Sequence, residues 1–353
     1  MSNMLEETRH QPETLRRTLE RGLRSIRDLE RRLAKDRPPL VMIAARGTSD
    51  NAAQFGRYLI EITTGIPVSL AAPSIVTLYK KGLGLRGALV VGISQSGEST
   101  DTIAVLANGR KRGAITVGIT NEPSSTMART AEHTLLVHAG EERSVAATKT
   151  YTGQLLALYL LARALGGAVR PDDLRRIPGW VEATLRQESR IAEAVERYHF
   201  MSGTVTVGRG LNYANALEFG LKLMETCYVL AERFSAADLM HGPIAIVERA
   251  FPVFVFAPPG PTWPSISRVL KRLSQLKTDT LVITDSTHAR AVKSARALEI
   301  PAQPGPGHLH TPADLYTPIP YIIPAQLFAA HLARVKGLNA DRPRALSKFT
   351  RTM

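Results

Sequence analysis

Ala88-Leu-Val-Val-Gly-Ile93-Ser94-Gln-Ser-Gly97-Glu-Ser99-Thr-Asp-Thr102 is the stretch on which the reading of this chain turns. Its first six residues form a short apolar run, the pattern of a buried strand. A helical pattern follows over Thr102–Arg112. Between them lies a turn rich in hydroxyls, with Gly97 supplying a tight backbone. The free amides at a helix start carry partial positive charge. Hydroxyls converging beside them predict an anion site sized for a phosphate monoester. No Gly-Lys-Ser/Thr follows, so it is not a nucleotide-binding loop, and the G-x-G-x-x-G spacing of dinucleotide folds is absent. The plainer alternative is a polar turn that only caps its helix.

Working outward, strands and helices alternate. Strands are expected at Leu40–Ala45, Pro67–Ala71, Ile115–Ile119 and Thr134–Val137. Arg46-Gly47-Thr48-Ser49-Asp50 turns the first of these into a helix over Asn51–Thr63, and a long apolar helix covers Thr150–Leu165. Such alternation predicts an α/β fold with a parallel, doubly wound sheet. The pattern then restarts. Arg46-Gly47 matches Arg209-Gly210, and Gly97 matches Gly260 at the same offset. Thr152-Gly153-Gln154-Leu155 echoes Pro324-Ala325-Gln326-Leu327. The chain reads as two copies of one α/β unit. Only the first should hold a phosphate, because Pro258-Pro259-Gly260 replaces the serines in the second. The expected segments are an amphipathic helix over 1–37, a first domain at 38–170, a linking helix at 171–198, a second domain at 199–336 and a tail at 337–353.

Composition sets the outer limits. The 353 residues suffice for two cores, and no apolar run reaches membrane-spanning length. One cysteine, Cys227, excludes a disulfide framework and a cysteine-ligated zinc site. A cytoplasmic protein without membrane or metal dependence is expected. The formal net charge of +14 fits nucleic acid or the steering of small dianions. The basic residues are spread along helical faces without interleaved aromatics, so no nucleic-acid partner is expected. His308-Leu-His310 lies in a Pro/Gly-rich stretch without nearby acids and is not expected to hold a metal.

The second copy carries titratable groups. Glu218, Lys222 and Glu225 are spaced four and three apart, near one another on a helix; surface ion pairing is their plain reading. His241 precedes Gly242-Pro243, where a helix must stop, and titrates near neutrality. Lys348 sits in a basic tail. Arg143 and Lys149 border a polar loop and could serve either structure or a site. Trp180, Trp263, His133, His138 and His288 are read as packing or surface residues.

Several motifs in order resemble the sugar isomerase (SIS) family with two SIS domains, including the isomerase half of glucosamine-6-phosphate synthase and the stand-alone glucosamine-6-phosphate deaminases. They are Arg46-Gly-Thr-Ser49, Ser94-Gln-Ser-Gly-Glu-Ser99, Val145-Ala-Ala-Thr-Lys149, Ala216-Leu-Glu-Phe-Gly-Leu-Lys222-Leu-Met-Glu225, Asp238-Leu-Met-His-Gly-Pro243 and Asp341-Arg-Pro-Arg-Ala-Leu-Ser-Lys348. The resemblance implies that Gly47, Thr48, Ser49, Ser94, Gln95, Ser96 and Ser99, with Val145 and Ala147, bind the phosphosugar. It implies Glu225 as the base between C1 and C2, His241 as the ring-opening group reached from a neighbouring subunit, and Lys348 on the carbonyl. Glu218 and Lys222 would support Glu225. No cofactor is implied, and a homodimer is. Arg46 stands where the synthase has cysteine, and Ala147 where it has serine. The glutamine-hydrolysing domain of the synthase has no counterpart in this sequence. The expected activity is conversion of glucosamine 6-phosphate to fructose 6-phosphate and ammonia. The alternatives are an isomerase-type aminotransferase lacking its glutaminase, a deglycase or isomerase for another amino sugar phosphate, and a non-catalytic phosphosugar sensor.

Overall fold

The computed structural model describes residues 2–292, 295–301 and 312–346. The N-terminal segment is three helices rather than one: α1 (Asn3–Arg9), α2 (Gln11–Ser25) and α3 (Arg27–Lys35). The leucine stripe does face inward, with Leu15, Leu19, Leu29 and Leu33 buried. The breaks fall at His10 and Ile26.

The chain divides into two compact units. One, built on Glu13–Glu142 and Lys149–Arg175, contains the first sheet. Its elements are β1 (Val41–Ala44), α4 (Thr48–Thr64), β2 (Val68–Leu70), α5 (Ser74–Thr77), β3 (Leu89–Ile93), α6 (Thr100–Lys111), β4 (Ile115–Thr120), α7 (Thr126–Thr130), β5 (His133–Leu136) and α8 (Lys149–Ala164). The strand order is β2-β1-β3-β4-β5, all parallel. Parallel neighbours need long crossover connections, which the intervening helices supply. β1, β3 and β4 are buried throughout, which explains the unbroken apolar runs of β1 and β3. On one face Val90 and Ala44 pack with Val105 and Leu106 of α6.

The other unit comprises residues up to Pro12, the loop Arg143–Thr148 and Arg176–Ala345. The expected linking helix is two helices, α9 (Pro171–Leu185), which begins in the first unit, and α10 (Glu188–Glu196). Then come β6 (Gly203–Gly208), α11 (Tyr213–Cys227), β7 (Leu230–Ser235), α12 (Ala236–Met240), β8 (Pro252–Ala257), α13 (Trp263–Leu276), β9 (Asp279–Thr284), α14 (Ser286–Ala291), β10 (Arg296–Glu299) and α15 (Pro318–Val335). Read from the other edge, this sheet runs β7-β6-β8-β9-β10, again wholly parallel and in the order of the first. The duplication expected from sequence is therefore a duplication of topology. The matched glycines also agree: Gly47 and Gly210 have φ of 56° and 58°, a region open to glycine at no steric cost.

Candidate active site

In a sheet of this order the chain leaves β1 and β3 in opposite directions. The crevice at their carboxyl ends is where ligands of open α/β sheets bind. β1 and β3 pair directly, so the turns after them are neighbours. One is Arg46-Gly47 leading into α4, and the other is Ser94–Ser99 leading into α6. The structure thus brings Gly47, Thr48, Ser49, Ser94, Gln95, Ser96 and Ser99 to one edge of one sheet.

The second turn is held from behind. Ser94 is buried, and its amide donates to the Ile119 carbonyl at 3.0 Å. The Gln95 carbonyl accepts the Asn121 amide and Thr120 Oγ1, and the Gly97 carbonyl accepts the Met127 amide. These carbonyls are thereby occupied against the neighbouring strand-helix connection. Ser94 Oγ accepts the Gly97 amide and Ser96 Oγ the Glu98 amide, both at 3.2 Å. A hydroxyl that accepts still has its proton to give. Gly97 takes φ of 66°, and a Cβ there would collide with Ser125 and Thr120. The one acid in the turn is drawn aside: Glu98 accepts the Thr126 amide at 2.8 Å, which holds its carboxyl below the usual range. Ser99 is the N-cap of α6 but its hydroxyl does not cap the helix; it accepts from Thr102 Oγ1 at 3.0 Å instead. Gly47, the N-cap of α4, has no side chain to offer. Two helix starts without side-chain caps therefore point at this edge. One contact escaped the sequence: buried Gln154 of α8 donates to Ser49 Oγ at 3.0 Å.

The proton-transfer candidates lie in the other unit. Glu218 and Lys222 are fully buried, contrary to the surface-pair reading, and Glu225 is one-quarter exposed. Lys222 Nζ lies 3.3 Å from Glu218 and 2.6 Å from Glu225. Burial alone would lower the lysine's pKa, but the two carboxylates outweigh it and raise it above the ordinary value. The ammonium thus stays charged and holds the Glu225 carboxylate from one side. Beyond Glu225, Tyr228 ends α11 in a left-handed turn. Its hydroxyl accepts the Arg344 amide at 2.8 Å, and the Arg344 guanidinium lies 4.2 Å over its ring. The tail is so tied beside the end of α11. Lys348, His308 and His310 lie outside the described residues.

Val145 and Ala147 sit on a loop anchored within the same unit. The Val145 amide donates to the Asp341 carbonyl. Buried Glu7 of α1 accepts the amides of Arg143 and Ser144. Lys149 is buried, with Nζ donating to the Glu141 carbonyl.

Glu225 and His241 are not brought together. Alternation along β6 and β8 turns Thr206 and Phe254 toward α11 and Val205 and Val253 toward α12 and α13. The two helices thus cover opposite faces of the sheet. Glu225 precedes β7 and His241 follows it, so the strand's length, about 16 Å at 3.3 Å per residue, separates them as well. His241 closes α12 as expected and is exposed, between exposed Met240 and Ile246.

The SIS domain profile matches residues 37–164 and 204–336. The chain belongs to the SIS domain family. This SIS chain is 35% identical over 352 residues to the isomerizing glutamine–fructose-6-phosphate aminotransferase of Pyrococcus horikoshii, spanning 98% of itself and 57% of that protein. It thus covers little more than half the length of that relative. The C-terminal domain of glucosamine-fructose-6-phosphate aminotransferase from Francisella tularensis superposes with a TM-score of 0.85 at 29% identity, over 97% of this chain and 98% of that one. A glucosamine-6-phosphate deaminase from Thermotoga maritima shares the fold, with a TM-score of 0.78 at 21% identity over 99% and 100% of the two chains. Among the described residues no helix is long and apolar enough to cross a membrane.

Proposed function

We propose that this SIS chain interconverts an aldose and a ketose phosphate, acting on glucosamine 6-phosphate to give fructose 6-phosphate and ammonia. The carrying observation is the hydroxyl-rich serine turn at the switch point, whose Gln95 and Gly97 carbonyls are satisfied from behind and which opens directly into a helix start. The phosphate binds there and the sugar is oriented by it. His241 opens the ring. Glu225 takes the proton from C2 and returns it to C1, through an enolamine, and Lys348 steadies the carbonyl oxygen. Water then adds to the C2 imine and ammonia leaves.

The separation of Glu225 from His241 supports a homodimer in which His241 serves the site of its partner. The exposed Met240 and Ile246 around it fit a surface covered by a second copy. The test is to incubate the purified protein with glucosamine 6-phosphate and measure ammonia, fructose 6-phosphate and solvent deuterium at C1. Turnover abolished in Glu225→Gln supports the reading. Tight binding with no turnover would make the protein a sensor. The aminotransferase relatives favour one further arm, fructose 6-phosphate with ammonium, to detect synthesis.

A further inference from the structure

Arg46 stands one residue before Gly47, two residues past the end of β1. Its Nε and Nη2 both donate to Asp101 Oδ2, at 3.1 and 2.7 Å. Asp101 is the second residue of α6 and its side chain is 10% exposed. Asp50 is the third residue of α4; partial desolvation raises its pKa, and the charge of Arg46 works against that rise. Each helix that starts at the serine-lined crevice thus carries an aspartate in its first turn. An acid there ordinarily stabilises a helix by complementing its dipole. Here it is a liability, because the same positive end is wanted by an incoming dianion, and like charges at short range repel. Arg46 meets this with two bonds to a single carboxylate oxygen, a charge-assisted pair of fixed geometry.

We propose that Arg46 is a positioning residue for phosphate binding: it neutralises and holds Asp101, so that the starts of α4 and α6 present net positive potential to a phosphate monoester. This rests on the phosphate assignment made above for the serine turn. Arg46 does not touch the ligand in this account. Its effect runs through Asp101, which makes it separable from direct contact by a double variant.

The experiment is calorimetric titration of the whole protein with glucosamine 6-phosphate and with inorganic phosphate, alongside steady-state kinetics. Arg46→Ala should weaken both ligands about tenfold or more, the scale expected for one unneutralised charge nearby. It should raise KM with kcat within about twofold. Asp101→Asn alone should bind at least as well as wild type, and Arg46→Ala/Asp101→Asn should recover wild-type affinity to within about threefold. Thermal melts check that each variant is folded. The inference falls if Arg46→Ala binds like wild type, or if the double variant stays as weak as the single one, which would mean direct contact. Absence of binding by the wild type would instead remove the phosphate assignment, and this inference with it.

Discussion

Replacing Lys222 with methionine strips a buried cation from between two carboxylates. Glu218 has no exposed surface, whereas Glu225 reaches solvent. The loss therefore falls on Glu218, a carboxylate buried in the core that loses its ion-pair partner. Breaking a buried pair in this way costs about 3–5 kcal/mol, a large part of the 5–15 kcal/mol of a typical folded protein. The penalty should also depend on pH. In the wild type Lys222 is raised in the folded state. Its contribution is fully present below the unfolded lysine value near 10.4 and is lost only above that. The lysine thus adds no slope near neutrality. In Lys222→Met the charged form of buried Glu218 is disfavoured relative to the wild type, because the neighbouring cation is gone. The native state then binds the extra proton, so the deficit shrinks as pH falls from 8 to 5. Urea unfolding at both pH values measures it. Lys222→Met/Glu218→Leu should regain most of the loss, since a buried ion pair is often replaceable by apolar packing. A single variant within 1 kcal/mol of wild type at pH 8, or a deficit independent of pH, would refute this reasoning.

Gly97→Ala forces an unfavourable φ, about 1–2 kcal/mol, and adds a collision with Ser125; affinity for inorganic phosphate should drop with little change in far-UV dichroism. Gln154→Leu removes the donor to Ser49, so KM should rise severalfold. Stability should stay within about 1 kcal/mol, because the Gln154 Oε1 already lacks a hydrogen-bond partner among the described residues. His331 of α15 is lowered by burial, against the pull of Glu188 at 3.0 Å. Its contribution is therefore present above the unfolded value near 6.5 and lost as pH falls below it. His331→Gln should flatten that part of a stability–pH curve measured by urea unfolding.

The fold was legible where the sheet is buried on both sides. β1, β3 and β8 are continuous apolar runs between turn residues, and the doubled Arg-Gly and lone turn glycines exposed the repeat. The second copy's edge strands were not. β7 and β10 end their sheet, and Leu-Ala-Glu-Arg-Phe-Ser mixes charge with apolar residues because one side meets solvent. Likewise the serine turn could be read from its residue types, but its rear bracing could not. The amides of Asn121, Thr126 and Met127 that fix it come from the next connection and carry no side-chain signature. The burial of Glu218 and Lys222 was hidden for a related reason: charges four apart look the same on a solvated helix and on one covered by α15, and packing decides which. His241 shows the limit most plainly. Its motif adjoins that of Glu225 in sequence, yet a strand and the thickness of a sheet stand between them.

The two copies keep one topology but not one chemistry, and the difference lies at equivalent edges. In the first sheet, hydroxyls and a neutralised aspartate surround the turns after β1 and β3. The equivalent turns after β6 and β8 hold Arg209-Gly210 and Pro258-Pro259-Gly260. Proline has no amide to donate, so two of the donors that an anion would need are missing. Thr262, next along this connection, bonds Asp314 at 3.4 Å. Asp314 is buried, and burial pushes its pKa up to about 6. At pH 7.5 it is mostly charged and would repel a phosphate. Restoring serines at Pro258 and Pro259 should therefore fail to create a second phosphate site, whereas the same change with Asp314→Asn removes both obstacles. Titration with inorganic phosphate distinguishes the cases: a second equivalent bound by the serine variant alone would show that missing donors, and not the buried carboxylate, set the phosphate affinity of this edge.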